Sequence, residues 1–186
     1  MLTVITGPMF SGKTSMLISM IKANLIAENE IEVFKPSNDT RYGLEKITSH
    51  DGEEINAEVL NKILPFKSYF IEDMRETRAV AFFEESQFFD ELNFIKLITT
   101  LLDDDREVVC AGLPNDFRGQ PFGAMPQLLA MADEIISLKA VCSKCKTINA
   151  ATRTYRKTKD TAQTVVGGAE MYEPRCFKCW RNNAQV

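Results

Sequence analysis

"GPMFSGKT", residues 7 to 14, is the stretch on which the fold turns. It fits the pattern G-x-x-x-x-G-K-[ST], which carries meaning only between a strand and a helix. Both neighbours have the required character. "LTVIT" (Leu2–Thr6) is a short β-rich run, and "SMLISMIKANLI" places Leu17, Met20, Ile21 and Leu25 at the spacing of a helix face. Glycine lets such a loop fold so that successive N–H groups point at phosphate oxygens, and the helix amino terminus adds positive potential. Lys13 can neutralise β- and γ-phosphate charge, and Thr14 can offer its hydroxyl to Mg²⁺. Gly7, Pro8, Met9, Phe10, Ser11, Gly12, Lys13 and Thr14 are therefore candidates for binding a nucleoside triphosphate. The bland alternative is a glycine-rich turn that matches by accident.

Outward from this loop, strand and helix signals alternate to about residue 140. "EVFKP", "RAVAFF" and "REVVCAG" read as strands, and "ELNFIKLITTLL" and "AMPQLLAMAD" as helices. "EIISLKAVC" reads as a last strand, and the turn-rich "SNDTRYGLEKITSHDGEE" as a loop or hairpin. This alternation predicts an α/β fold with a parallel sheet. From residue 141 onward Cys, Lys, Thr and Gly take over, so a division is expected into a nucleotide-binding domain at 1–140 and a small domain at 141–186.

The bulk properties narrow the partners. The 186 residues are 45% apolar and 26% charged, which suits an ordinary globular protein with one sizeable core. The net charge of −4 argues against a nucleic-acid backbone as the main partner, since neutralising phosphates needs a basic surplus. No apolar stretch approaches spanning length and "MLTVITGPMF" does not read as a signal peptide, so a cytoplasmic protein without a membrane partner is expected.

"AVAFFEESQ" is apolar and then abruptly acidic. A strand end of this kind can hold Mg²⁺ through one carboxylate and present a base with another. Adjacent side chains of an extended chain point to opposite faces, so Glu84 and Glu85 share one task only if the strand has already ended. One division sets Glu84 toward metal water and Glu85 toward a substrate hydroxyl. Two solvated charges starting a helix are the competing reading, because acidic residues favour helix starts.

Cys142-x-x-Cys145 and Cys176-x-x-Cys179 supply four thiolates, the ligand set of a closed structural Zn²⁺ site. A redox pair competes, but two pairs in one small region favour metal. The fifth cysteine, Cys110, sits in an apolar strand and reads as core. Between the pairs, "TVVGGAEMY" sets two glycines before Tyr172, either for close backbone approach to a flat ligand or as a hairpin turn.

Taken together, "ITGPMFSGKT", "KPSNDTRYG", "EESQFFD", "AGLPNDFRGQPFGAMPQLLAMAD", "LKAVCSKC", "VVGGAEMY" and "CFKC" resemble the zinc-containing, tetrameric (type II) thymidine kinases. The resemblance spans nearly the whole chain. It implies a RecA-like phosphate-loop sheet with a zinc-binding lasso domain, and transfer of phosphate from ATP, with Mg²⁺, to the 5′-hydroxyl of deoxythymidine. It further implies a homotetramer and feedback binding of thymidine triphosphate. By position, Asp39, Thr40 and Arg41 would lie over the phosphates, a stretch that otherwise reads as solvated loop. Glu85 falls on the catalytic base, with Gln87 beside it in the nucleotide site. Phe88, Leu113, Phe117 and Tyr172 fall on positions that enclose the nucleoside; alone, the aromatic ones would read as core. Thr152 falls near the 5-methyl group of the base. Main-chain groups of Gln163, Thr164, Val165, Val166 and Gly167 would read its edge.

The family's usual "DE" is "EE" here, so Glu84 stands where an aspartate serves Mg²⁺. The extra methylene moves the carboxylate by about 1.5 Å, which an outer-shell contact through water can absorb. Pro114 in "GLPNDF" is a further point at which the pocket lining could alter. Two other classes compete: a zinc-ribbon ATPase acting on nucleic acid, against which the acidic balance speaks, and a weakened relative that senses thymidine or its triphosphate.

Overall fold

A strand that is apolar along its whole length needs cover on both faces, which a parallel sheet between two helical layers supplies. Leu2–Thr6, Val80–Phe83 and Val108–Gly112 are buried at every residue. In the computed structural model, which describes residues 1–37, 46–49, 52–60, 79–165 and 167–182, these three form the middle of the main sheet. The strands in chain order are β1 (Leu2–Thr6), β2 (Ile31–Pro36), β3 (Lys46–Thr48), β4 (Glu54–Asn56), β5 (Glu58–Leu60), β6 (Val80–Phe83), β7 (Val108–Gly112), β8 (Glu134–Ser137), β9 (Ala151–Arg156) and β10 (Tyr172–Cys176). Six of them form a sheet in the order β5-β2-β6-β7-β1-β8. Every neighbouring pair in it runs parallel. The expected RecA-like α/β sheet is the one formed, and β7 separates the glutamate-bearing β6 from β1.

The helices among the described residues are α1 (Lys13–Ile26), α2 (Glu91–Asp103), α3 (Met125–Met131) and α4 (Phe177–Arg181). On one face of the sheet, Leu17, Ile18 and Ile21 of α1 pack with Ile5, Val33, Phe82 and Val109. On the other, Phe94, Leu97 and Leu128 of α2 and α3 pack with Val4, Phe83 and Cys110. Strand alternation thus sends Phe82 and Phe83 to opposite layers. Burial pushes the Cys110 thiol up to about 12, against a smaller opposing pull from Ser86.

Two segments differ from the sequence reading. The run expected as one strand over 134–142 pairs with β1 only as far as Ser137. Leu138 then gives a last hydrogen bond to Thr6 at 2.7 Å, and Ala140 bridges Ala151 in antiparallel fashion. The chain has left the main sheet to join β9 and β10, which pair with each other antiparallel. The three-residue β5, alongside β2, was not legible as a strand. Within the turn-rich stretch, β3 and β4 form an antiparallel pair, so the hairpin alternative holds there.

Candidate active site

The loop after β1 is bent at three positions of positive φ: Gly7 (154°), Phe10 (64°) and Gly12 (86°). At Gly7 only glycine fits, since a Cβ would lie 2.5 Å from the Leu138 carbonyl oxygen. Gly12 caps α1 in the left-handed region. The Lys13 ammonium donates to the Pro8 carbonyl at 2.9 Å, which folds its side chain back over the loop. Ser11 Oγ is buried with no hydrogen-bond partner among the described residues. A loop with an unpartnered hydroxyl, a lysine laid across it and a helix behind it suits a polyphosphate.

At the end of β6 the two glutamates part. Glu84, 6% exposed, follows Phe82 in the alternation and accepts a hydrogen bond from Thr14 Oγ1 at 2.7 Å. Two oxygens at that spacing suit Mg²⁺, whose neighbouring ligands at about 2.1 Å from the ion lie roughly 3 Å apart. Glu85 leaves the strand through a left-handed conformation, φ 48° and ψ 45°, which turns the chain into a short 3₁₀ helix over Ser86–Phe88. A glutamate in this region is uncommon, and such backbone strain collects at functional sites. Asp90 then caps α2 by accepting from Asn93 N at 3.1 Å. The Gln87 amide donates to Glu85 Oε2 at 2.5 Å and its oxygen accepts from Leu113 N at 2.9 Å. Gln87 is thus a brace between Glu85 and the end of β7.

Beyond Glu85 lies a partly open cavity with about 530 Å³ free of protein atoms, the solvent at its mouth included. Of the residues singled out from the sequence, Phe88, Leu113, Phe117, Tyr172 and the loop residues Gln163, Thr164, Val165 and Gly167 line it, together with Glu85. Thr152 does not line it. Thr154 does, two positions further along the same face of β9, and its Oγ1 accepts from Met9 N at 3.0 Å, tying the phosphate loop to β9. Asp39, Thr40, Arg41 and Val166 lie outside the described residues.

Arg156 organises this wall, and the sequence reading missed it. Its side chain is buried at 2% exposure, and all five guanidinium donors are used. Nε and Nη2 reach the Tyr172 hydroxyl at 3.2 and 2.9 Å. Nη1 reaches the carbonyls of Asp160 and Ala162, and Nη2 that of Gln163. The guanidinium carbon sits 3.7 Å from the Phe117 ring centre. Tyr172 in turn donates to the Val165 carbonyl at 2.7 Å. Asp116, 2% exposed, accepts from the Gln163 amide at 3.2 Å. The loop is therefore held from below by one arginine, one tyrosine and one aspartate. In the sequence Arg156 stands before "KTKD" and resembles a solvated charge; only the side of β9 it occupies betrays it.

The four cysteines of the paired motifs come together, with every Sγ within 4.8 Å of the others. The Cys145 and Cys176 sulfurs are 3.9 Å apart, close to the roughly 3.8 Å of a tetrahedral site with Zn–S bonds of about 2.3 Å. The donor set therefore fits a structural zinc ion. Burial alone would raise the Cys142 thiol, but backbone N–H groups of Cys145, Cys176 and Lys144 outweigh it and lower the thiol to about 6. Cys179 is pushed up to about 12, chiefly by its contact with Cys176. A lowered thiol is the one that gives up its proton first to a metal.

The family model for thymidine kinase matches residues 1–180. The chain belongs to the thymidine kinase family. It is 37% identical over 183 residues, 98% of this chain and 96% of the relative, to a thymidine kinase of Pseudothermotoga lettingae. The chain is thus a kinase, with a cavity beside its Gly7–Thr14 loop. The cavity's apolar wall of Phe88, Leu113 and Phe117 suits the flat face of a nucleoside base.

Proposed function

We propose that this kinase transfers the γ-phosphoryl group of ATP to the 5′-hydroxyl of deoxythymidine, giving thymidine monophosphate for nucleotide salvage. One juxtaposition carries the reading: Glu85 stands on the cavity wall while Glu84 beside it is bonded to Thr14 of the phosphate loop. A hydroxyl in the cavity and a triphosphate on the loop would meet at the end of one strand. In this reading the loop from Gly7 to Thr14 holds the phosphates and Lys13 swings from Pro8 to their charge. Asp39, Thr40 and Arg41 cover the phosphates. Glu85, braced by Gln87, takes the proton of the attacking hydroxyl during in-line transfer. Magnesium bound with ATP would neutralise phosphate charge, and Thr14 and Glu84 are the residues that would hold it. Positioning and charge supply most of the acceleration in reactions of this class.

Cys142, Cys145, Cys176 and Cys179 would hold a structural Zn²⁺, since a closed four-thiolate site leaves no position open for chemistry. We take residues 141–186 as the lasso domain that this metal staples. No helix among the described residues is long and apolar enough to cross a membrane. The homotetramer and feedback binding of thymidine triphosphate enter this reading through the family resemblance, and the cytoplasmic setting through the sequence pattern.

The base is read, on this account, by main-chain groups between Gln163 and Gly167. The Gln163 and Val165 carbonyls already serve Arg156 and Tyr172, so among the described residues of the stretch the thymine edge would meet loop N–H groups and the Thr164 and Gly167 carbonyls. Deoxycytidine reverses the donor–acceptor pattern at N3 and the exocyclic position. Its kcat/KM should therefore fall at least about a hundredfold below that of thymidine. A purified-enzyme assay over thymidine, deoxyuridine and deoxycytidine checks this; comparable efficiency on thymidine and deoxycytidine contradicts the pocket.

The Glu84 role gives a separate expectation. Glu84→Ala should raise the Mg²⁺ concentration needed for half-maximal turnover more than it moves the KM for thymidine. Glu84→Asp, which restores the family's residue, should stay within about tenfold of the parent. Turnover measured against Mg²⁺ concentration for both variants decides it, and an unchanged Mg²⁺ requirement in Glu84→Ala removes Glu84 from the metal.

A further inference from the structure

Trp180 is the single tryptophan of the chain and directly follows Cys179. Its indole Nε1 donates to the Phe117 carbonyl at 3.0 Å, a contact between residues 63 apart in sequence. The six-membered part of the indole covers Gly119, where a Cβ would lie 2.9 Å from Cη2 and where φ is +78°. Only glycine leaves room for that ring and accepts that backbone. Phe177 stacks with Trp180 at 6.0 Å and 26°, and Arg153 lies over Phe177 at 5.6 Å. On the pocket side, the Phe117 ring lines the cavity and carries Arg156 on its face.

The helix that presents Trp180 has five residues. A helix so short has no stability of its own and takes its shape from what it is tied to. Here the ties are sulfurs: Cys176 caps it by accepting from Cys179 N at 3.5 Å, and both cysteines belong to the four-sulfur cluster. The cluster thus fixes α4, α4 aims Trp180, and Trp180 holds the backbone from which Phe117 enters the cavity.

We infer that Trp180 is a positioning residue that couples the state of the cysteine cluster to the nucleoside pocket through Phe117. The inference rests on the reading of the cavity as the thymidine site and of the cluster as a zinc site. Trp180 is not among the residues that line the cavity. Its loss should therefore move the thymidine side of the kinetics and leave the ATP side alone.

Because the chain has one tryptophan, its emission reports this contact directly. In the metal-loaded parent protein, thymidine alone should shift tryptophan emission with a half-point that follows thymidine binding. Stripping the metal with a chelator should shift it again and abolish the response to thymidine. Trp180→Phe keeps a ring over Gly119 but lacks the N–H. It should retain parental zinc and raise the thymidine KM about three- to tenfold, the scale of one lost hydrogen bond to a neutral carbonyl, with the KM for ATP within twofold. Emission that ignores thymidine in a parent that phosphorylates it overturns the coupling, as does a Trp180→Phe enzyme with both KM values raised equally or neither raised. The emission arm needs no variant, so it decides the matter if Trp180→Phe fails to fold. A parent protein with no thymidine turnover at all overturns the functional reading, and the coupling with it.

Discussion

Glu85→Gln should lower thymidine turnover by about 10²- to 10⁴-fold, the range that general-base catalysis contributes. Glutamine has the size of glutamate and can still accept from Gln87, which donates to Glu85 Oε2 at 2.5 Å. The left-handed turn at residue 85, φ 48°, makes the same demand on either side chain. What the substitution removes is the capacity to accept a proton. ATP affinity and thermal stability should stay near parental, because the phosphate loop and the Thr14–Glu84 bond are untouched. The measurement is kcat for thymidine beside ATP binding and melting temperature. Near-parental turnover in Glu85→Gln together with a dead Glu84→Ala would reverse the two roles. Parental behaviour in both would remove the pair from the chemistry and leave Glu84 a buried structural partner of Thr14.

The second large effect concerns the metal. Purified protein should hold one Zn²⁺ per chain, and Cys176→Ser should lose it and raise the thymidine KM more than about tenfold. Structural zinc in small cysteine sites contributes roughly 10–16 kcal/mol at neutral pH, more than most domains have in reserve. Cys176 also ends β10 and caps α4, so its loss loosens both at once. Thirty residues, 146 to 175, lie between the two pairs. Without the staple the ends of that long loop meet only at an entropic penalty. Metal analysis and thymidine kinetics on the parent and the variant test this together. Active parent protein free of zinc contradicts it.

The strand–loop–helix around Gly7–Thr14 was legible because its signals are local: eight residues, a strand before and a helix after. The cysteine cluster was legible for a related reason, since a four-thiolate site needs little beyond its ligands. The glutamate pair was legible only as a question. Which of the two leaves the strand depends on the turn at Glu85, and a glutamate in a left-handed conformation has no sequence signature. Thr154, two positions beyond Thr152 on the same face of β9, was not singled out because alternation fixes the face but not which residue along it lines the cavity. Arg156 was missed because burying a guanidinium means satisfying five N–H donors, here by three carbonyls of a loop that returns over its own strand and by the Tyr172 hydroxyl, which takes two of them. Trp180 was missed because its partner lies 63 residues away. Packing across distant segments, not chemistry at the ligands, is what the sequence withheld.

The central claim is that a hydroxyl held in the cavity beside Glu85 receives phosphate from a triphosphate on the Gly7–Thr14 loop. The most direct measurement follows the label from ATP labelled in its γ-phosphate, incubated with the purified protein, Mg²⁺ and thymidine. The account predicts label in thymidine monophosphate at the 5′ position, formed in step with ADP, and little labelled inorganic phosphate. Label that appears only as inorganic phosphate, or ADP formation indifferent to thymidine, would contradict it.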